Sequence, residues 1–518
     1  MKKIHLLYTS DMHGFWINRL DDAEHSLLNT ASALKQLKKQ YESMGEEVLL
    51  IDLGDFIQGA DFSTYLNQIN DNGLVLAEAM NHIGYDYQVI GNHEFNYGLP
   101  YLNSILTNLN AVILSNNILS SEAEETYFGR PYEIKEIAGV KIGIVGTTTH
   151  YIPNWEIPVH YQGLLFKDAF ETTKSIVEEI RPLVDIVIVA YHGGFERDLS
   201  TGEPLEALTG ENQGYQMLAE IDGIDCLITG HQHRLINERF NHSVAIQPGY
   251  AGRAIGHIMF EVEEQQLVSM LSELIDANHY PQDKDLLQKI EPEITNANEW
   301  LNKSLGIAPL MISSHDIFMA RVQGTPFVEM INQIQLKVTG ADFSATTLIN
   351  EHYKKFTGTI TQQTLLHAYP YHNLIAIVRV TGEELYDIMT FNLKYVTLNH
   401  SGKLVVNPDY IHPKPKHYNW DMYTGLRAIV NMHLPEQDRV IALIDERTNE
   451  PIDPTKYYTL AISQYRAVGG GDYHWFNESK IIEMTDKDIA SLIPEALDKF
   501  TEEEWTEINT NYSHIKWI

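Results

Sequence analysis

Cysteine is almost absent: Cys226 is the only one in 518 residues, so no intrachain disulfide can form and nothing points to an oxidising compartment. Long apolar runs are missing as well. No stretch approaches the roughly 18–20 apolar residues of a membrane-spanning helix. The start, MKKIHLLYTSDMHG, carries an apolar run too short for the core of a signal peptide. A cytoplasmic protein is the expectation. Basic residues are scarce too, with 37 Lys and Arg against 70 Asp and Glu and a formal charge of −33. That potential repels nucleic-acid backbones and anionic membrane surfaces, so neither is expected as a partner. An anionic small molecule would need a local source of positive charge. The 23 histidines and abundant carboxylates could hold metal ions that supply it.

The chain is too long for a single hydrophobic core, which predicts two or three domains. From Lys3 to about Glu263, short β-rich runs alternate with amphipathic helical stretches. Strands are expected at Ile4–Tyr8, Val48–Leu53, Tyr87–Ile90, Ala111–Ser115, Lys141–Val145, Ile186–Ala190, Cys226–Thr229 and Ser243–Gln247. Helices are expected at Ser26–Glu42, Phe166–Pro182 and Gly214–Ile221. This is the rhythm of an α/β layered domain. A charged, largely helical stretch around Pro281 and Pro292 reads as a loosely packed linker. Beyond it, helices mix with strands such as Ala376–Val380 and Tyr458–Ser463, and the tail Glu483–Ile518 reads as an acidic helical cap. The expected boundaries are residues 1–275, 276–310 and 311–518.

In α/β folds functional side chains gather beyond the carboxyl ends of strands, and five strands here deliver Asp, His or Asn at that place. Ile4–Tyr8 leads into Asp11 and His13, Val48–Leu53 into Asp55, and Tyr87–Ile90 into Asn92 and His93. Ile186–Ala190 leads into His192, and Cys226–Thr229 into His231 and His233. Any one of these has an ordinary explanation, since an Asp after a strand is usually a helix cap or turn residue. Together they match one chemistry. Two divalent metals about 3.5–4 Å apart need a bridging carboxylate and further N and O ligands. Asp, His and Asn suit Mn, Zn, Co or Fe, with Mg also able to bind.

The blocks SDMHG, LGDFIQG, GNHEFNYG, YHGG and GHQH resemble, in order, the signatures of the calcineurin-like metallophosphoesterases. Over residues 4–477 the chain resembles the 5'-nucleotidase family within that group. The resemblance implies a four-layer β-sandwich flanked by helices, followed by an α+β nucleotide-binding domain. It implies that Asp11, His13, Asp55 and His233 hold one metal and that Asp55, Asn92, His192 and His231 hold a second. His93 then corresponds to the catalytic histidine, which stabilises charge on the phosphate or protonates the leaving oxygen after in-line attack by water. Glu94 either anchors its loop or is solvated, the first being favoured.

Asn96 departs from the 5'-nucleotidase pattern, where an Asp pairs with the catalytic histidine. The Asn form is similar to the 2',3'-cyclic-nucleotide 2'-phosphodiesterase/3'-nucleotidase branch. The resemblance further implies a base stacked on Tyr465 with Trp420 or Tyr418 opposite, ribose bound by Asp472, and a contact from Asn373. Arg321 and Arg466 are candidates for phosphate contact. The expected activity is hydrolysis of 2',3'-cyclic nucleotides and nucleoside monophosphates, most plausibly 3', to nucleosides and phosphate. Two rivals remain: a 5'-nucleotidase or nucleotide-sugar or dinucleotide pyrophosphatase, and a non-catalytic nucleotide-binding regulator. The sequence leaves the oligomeric state open.

Overall fold

The computed structural model describes every residue except 1, 17–24, 71–72, 265, 310–315, 372 and 413–414. The chain divides into two compact units, Met1–Trp300 and Leu301–Ile518. The expected boundary at 310/311 lies outside the described residues.

All eight expected strands of the first unit form. Runs such as Ile186-Val187-Ile188-Val189-Ala190 are buried on both faces, which is why they read as continuous apolar stretches rather than alternating ones. Six strands build a first sheet in the order Gln266–Asp276, Ala254–Glu263, Lys2–Thr9, Glu47–Asp52, Tyr87–Val89, Val112–Leu114. Its last four strands are mutually parallel. A second six-stranded sheet runs Leu235–Phe240, Ser243–Pro248, Cys226–Thr229, Ile186–His192, Val140–Thr148, Tyr132–Ile137. Ile4, Leu6, Tyr8 and Ile51 meet Ile144, Ile188, Ile228 and Ile246 between the sheets. Tyr8 Oη donates to the carbonyl of Ile246 at 2.8 Å and ties the two sheets together. On the outer face of the second sheet, Val145, Val187 and Val189 pack on Phe170, Val177 and Met217. These come from the helices Ala169–Ile180 and Gly214–Glu220. Helix Leu27–Ser43 covers the first sheet, so the layers run helix, sheet, sheet, helix.

Two elements differ from the sequence reading. The linker is not loosely packed: helix Lys284–Leu301 buries Leu286, Ile290, Ile294, Ala297 and Leu301. Their spacing is helical, and intervening charges and Pro292 obscure it in the sequence. The tail is not all helix. It opens with the strand Ile481–Asp488, continues through the helices Ile489–Leu497 and Glu502–Thr510, and closes with Ile515–Trp517.

In the second unit a five-stranded sheet runs Asp421–Thr424, Phe343–Thr347, Tyr457–Ser463, Leu374–Thr381, Ile481–Asp488. Helix Pro326–Thr339 packs against it. A four-stranded sheet takes in the last strand, Ile515–Trp517, parallel to Leu426–Val430. Among the described residues no helix is long and apolar enough to cross a membrane.

Candidate dimetal centre

The parallel strands of both sheets end on the same side, and their carboxyl ends bring seven side chains into one cluster. Asp11, His13, Asp55 and Asn92 come from the first sheet; His192, His231 and His233 come from the second. The turns that aim them are tight. Asp11, His13, Asp55, His231 and His233 all have φ between 47° and 67°, a left-handed conformation costing roughly 1–2 kcal/mol per non-glycine residue. Such strain concentrates at sites where geometry outweighs stability. Two glycines allow the closest approach. A Cβ on Gly54 would lie 2.3 Å from the Gly91 nitrogen, and one on Gly91 would lie 2.2 Å from Asp55 Oδ1.

Ring nitrogens and side-chain oxygens, all able to offer lone pairs to a cation, converge at hydrogen-bond distance. His13 donates from Nδ1 to the Gln58 carbonyl at 3.0 Å and His192 from Nδ1 to the Leu53 carbonyl at 2.6 Å. His231 directs Nε2 at the Glu211 carboxylate, 2.9 Å away. Each ring therefore turns its other nitrogen, an acceptor in the neutral form, into the cluster. There His231 Nδ1 lies 2.8 Å from Asn92 Oδ1, and His192 Nε2 lies 3.2 Å from both Asn92 Oδ1 and Asp55 Oδ2. His13 Nε2 stands 2.8 Å from His233 Nε2, which is 3.5 Å from Asp11 Oδ1. Burial, then the charge of His233, pulls the His13 pKa down to about 3. Burial would also lower that of His192, but the Asp55 carboxylate raises it to about 10. The field at His192 thus favours positive charge.

Three overlapping groups in this cluster, Asp11–His13–His233, His13–Asp55–His93 and Asp55–His192–His231, have ligand atoms close enough to share a cation. Converging lone pairs on O and N atoms, with outer nitrogens held by carbonyls and a carboxylate, fit a pair of divalent ions.

His93 sits at the edge of this cluster. Its backbone N–H donates to Asp55 Oδ1 at 2.8 Å, and its Nδ1 lies 2.6 Å from Asn96 Oδ1. Glu94 is fully buried and accepts from the backbone N–H groups of Asp55, Phe56 and Gly91 at 2.6–2.8 Å. It anchors the loop and locks the turn of Asp55 to that of Asn92. Sequence reasoning missed Glu211 behind His231 and Trp155, whose ring centre is 5.4 Å from that of His231.

The calcineurin-like phosphoesterase family model matches residues 4–235, and the 5'-nucleotidase C-terminal domain model matches 309–478. A crystal structure of a candidate 5'-nucleotidase from Staphylococcus aureus, in complex with alpha-ketoglutarate, is 31% identical. It covers the whole of both chains with a TM-score of 0.91. This chain belongs to the 5'-nucleotidase family of calcineurin-like phosphoesterases. The 2',3'-cyclic-nucleotide 2'-phosphodiesterase/3'-nucleotidase of Haemophilus influenzae is 25% identical over 91% of this chain and 81% of its own length. The trifunctional nucleotide phosphoesterase of Bacillus subtilis is 23% identical over 93% of this chain, which spans only 37% of that longer protein.

Within the 5'-nucleotidase C-terminal domain the base-site candidates separate. Trp420 is fully buried and donates from Nε1 to the Arg321 carbonyl at 2.9 Å, so it is a core residue and offers no face to a base. Tyr418 and Tyr465 are both partly exposed, with ring centres 6.5 Å apart and planes at 80°. Tyr418 is therefore the aromatic beside Tyr465, and one ring must turn before the two could sandwich a base. Tyr465 folds over Gly470, where a Cβ would lie 2.6 Å from the ring. Asp472 is exposed at φ 68°, and Asn373 is partly buried. Neither arginine is free for phosphate. Arg321 donates to the carbonyls of Leu348 and Ile349, and Arg466 is buried in an ion pair with Asp421 at 2.8 Å.

Proposed function

We propose that this chain hydrolyses nucleotide phosphoesters, acting on 2',3'-cyclic nucleotides and nucleoside 3'-monophosphates to yield nucleosides and phosphate. The observation that carries the reading is Asn96, rather than a carboxylate, on Nδ1 of His93 at 2.6 Å beside the ligand cluster. The Haemophilus influenzae relative carries the corresponding activity in its name. Asp11, His13, Asp55 and His233 would hold one ion; Asp55, Asn92, His192 and His231 would hold the other, with manganese suited to this mixed O and N set. Bound divalent ions would polarise the phosphoryl group and make water a nucleophile at neutral pH.

The protein's own part is positional. His93 keeps Nδ1–H on Asn96 Oδ1 and turns Nε2 toward the cluster; when the ring carries a second proton, Nε2–H can bond to a phosphoryl oxygen or pass that proton to the leaving oxygen. Asn96 orients the ring without adding charge to it directly. Tyr465 and Tyr418 would grip the base, at roughly 1–3 kcal/mol per stacked base and with tolerance for its identity.

A panel of 2',3'-cyclic, 3'- and 5'-nucleotides with Mn, Co, Zn or Mg tests the reading. Cyclic and 3' substrates should exceed 5' substrates, and His93→Asn should abolish turnover while bound metal, measured by elemental analysis, is retained. Turnover that survives this substitution would remove His93 from the mechanism. A 5' preference would favour the second reading, 5'-nucleotide hydrolysis, which the 31% identity to the Staphylococcus aureus protein supports.

A further inference from the structure

The partner of His93 has a partner of its own. Asn96 Nδ2 donates to Glu156 Oε2 at 2.7 Å. The other oxygen of Glu156 accepts from the Ile157 backbone N–H at 2.9 Å and faces His160 Nδ1 at 2.8 Å. The Glu156 side chain is only 9% exposed, and it lies 60 residues from Asn96 in the chain. It belongs to a turn between the short helices Ile152–Asn154 and Pro158–Tyr161.

An amide looks the same to its surroundings until something fixes which end is oxygen. A carboxylate supplies that, because it only accepts hydrogen bonds. Facing Glu156, Asn96 must present its NH2 group there, which leaves Oδ1 for His93. His93 must then carry a hydrogen on Nδ1, and Nε2 becomes the atom that faces the reaction. Without Glu156 the amide could reverse, offer NH2 to His93, and accept the opposite tautomer of the ring.

We propose that Glu156 is a positioning residue for catalysis: acting through Asn96, it fixes the tautomer and orientation of His93. It thereby places a carboxylate one amide away from a histidine whose immediate neighbour is neutral. This deepens the phosphoesterase reading and rests on it, since it matters for turnover only if His93 faces the leaving group.

The test compares Asn96→Asp, Glu156→Gln and the double variant Asn96→Asp/Glu156→Gln. Each is studied as manganese-loaded enzyme with 2',3'-cyclic adenosine monophosphate and as metal-free protein by thermal unfolding. Asn96→Asp sets two carboxylates against each other and should lower kcat by roughly tenfold or more with KM little changed, the range for losing an outer support. It should also lower the melting temperature of the metal-free protein. Glu156→Gln should lower kcat because the amide of Asn96 is no longer held one way round. In the double variant the amide introduced at position 156 can donate to the carboxylate introduced at position 96. The hydrogen bond is restored with its polarity reversed, so kcat and melting temperature should both recover above those of Asn96→Asp. A double variant no better than Asn96→Asp in either measurement, or a Glu156→Gln enzyme with wild-type kcat, would overturn the proposal. The metal-free melting series separates this failure from that of the phosphoesterase reading, because it needs no substrate and no turnover.

Discussion

His231 uses both ring nitrogens, one toward Asn92 and one toward Glu211. Removing the outer contact frees the ring to turn and lowers the basicity of the nitrogen that would bind an ion. On the proposed assignment, Glu211→Gln should therefore weaken binding of the ion that Asn92, His192 and His231 would hold by roughly 10–100-fold. Calorimetric titration of metal into the apoprotein should show one of two sites weakened and the other intact. The clustered Asp, His and Asn side chains are legible in the sequence, because each follows a strand closely and the strand-to-turn unit is local. Glu211 and Glu156 are not. They reach the site from loops 20 and 60 residues away from the groups they hold, and an acidic residue in a loop looks like any solvated one. Trp420 is hidden for a related reason: an aromatic side chain carries no sign of whether it points at solvent or into a core.

Elements are legible to the extent that burial is uniform. The eight expected strands of the first unit stand out because they are mostly apolar and largely buried. The hairpin Ala254–Glu263 and Gln266–Asp276 does not, since its outer strand alternates with exposed residues such as Val268 and Leu271. The last strand, Ile515–Trp517, is only three residues long and gains its identity from pairing. His514 immediately before it lies between two carboxylates, with Nε2 2.9 Å from Glu329 and Nδ1 2.7 Å from Glu446. Burial opposes its charge, but the hydrogen bonds it donates to these glutamates raise its pKa from 6.5 to about 9. The folded form thus binds the proton more tightly than the unfolded chain. Its contribution is complete below about pH 6.5 and is lost as pH rises through about 9. Denaturant unfolding should show about 3 kcal/mol less stability for the second unit above that window than below it. His514→Gln should flatten this difference.

For the whole molecule, the two units differ in what completes them. The ligand cluster lies wholly in Met1–Trp300, and the aromatic pair Tyr418 and Tyr465 lies in Leu301–Ile518. The calcineurin-like phosphoesterase match ends at residue 235, just past His233, which invites the view that everything needed for metal binding is finished there. The strand Lys2–Thr9 argues otherwise. It pairs on one side with Glu47–Asp52 and on the other with Ala254–Glu263. A fragment cut at residue 240 would keep all seven clustered side chains yet leave the strand Lys2–Thr9, which leads into Asp11 and His13, with an open edge. Such edges recruit other chains. Expressed separately, residues 1–300 should be soluble, monodisperse by light scattering and able to bind metal, whereas residues 1–240 should aggregate. The useful unit for cloning, crystallisation or domain exchange is therefore set by the neighbour of the first strand rather than by the position of the last residue of the cluster.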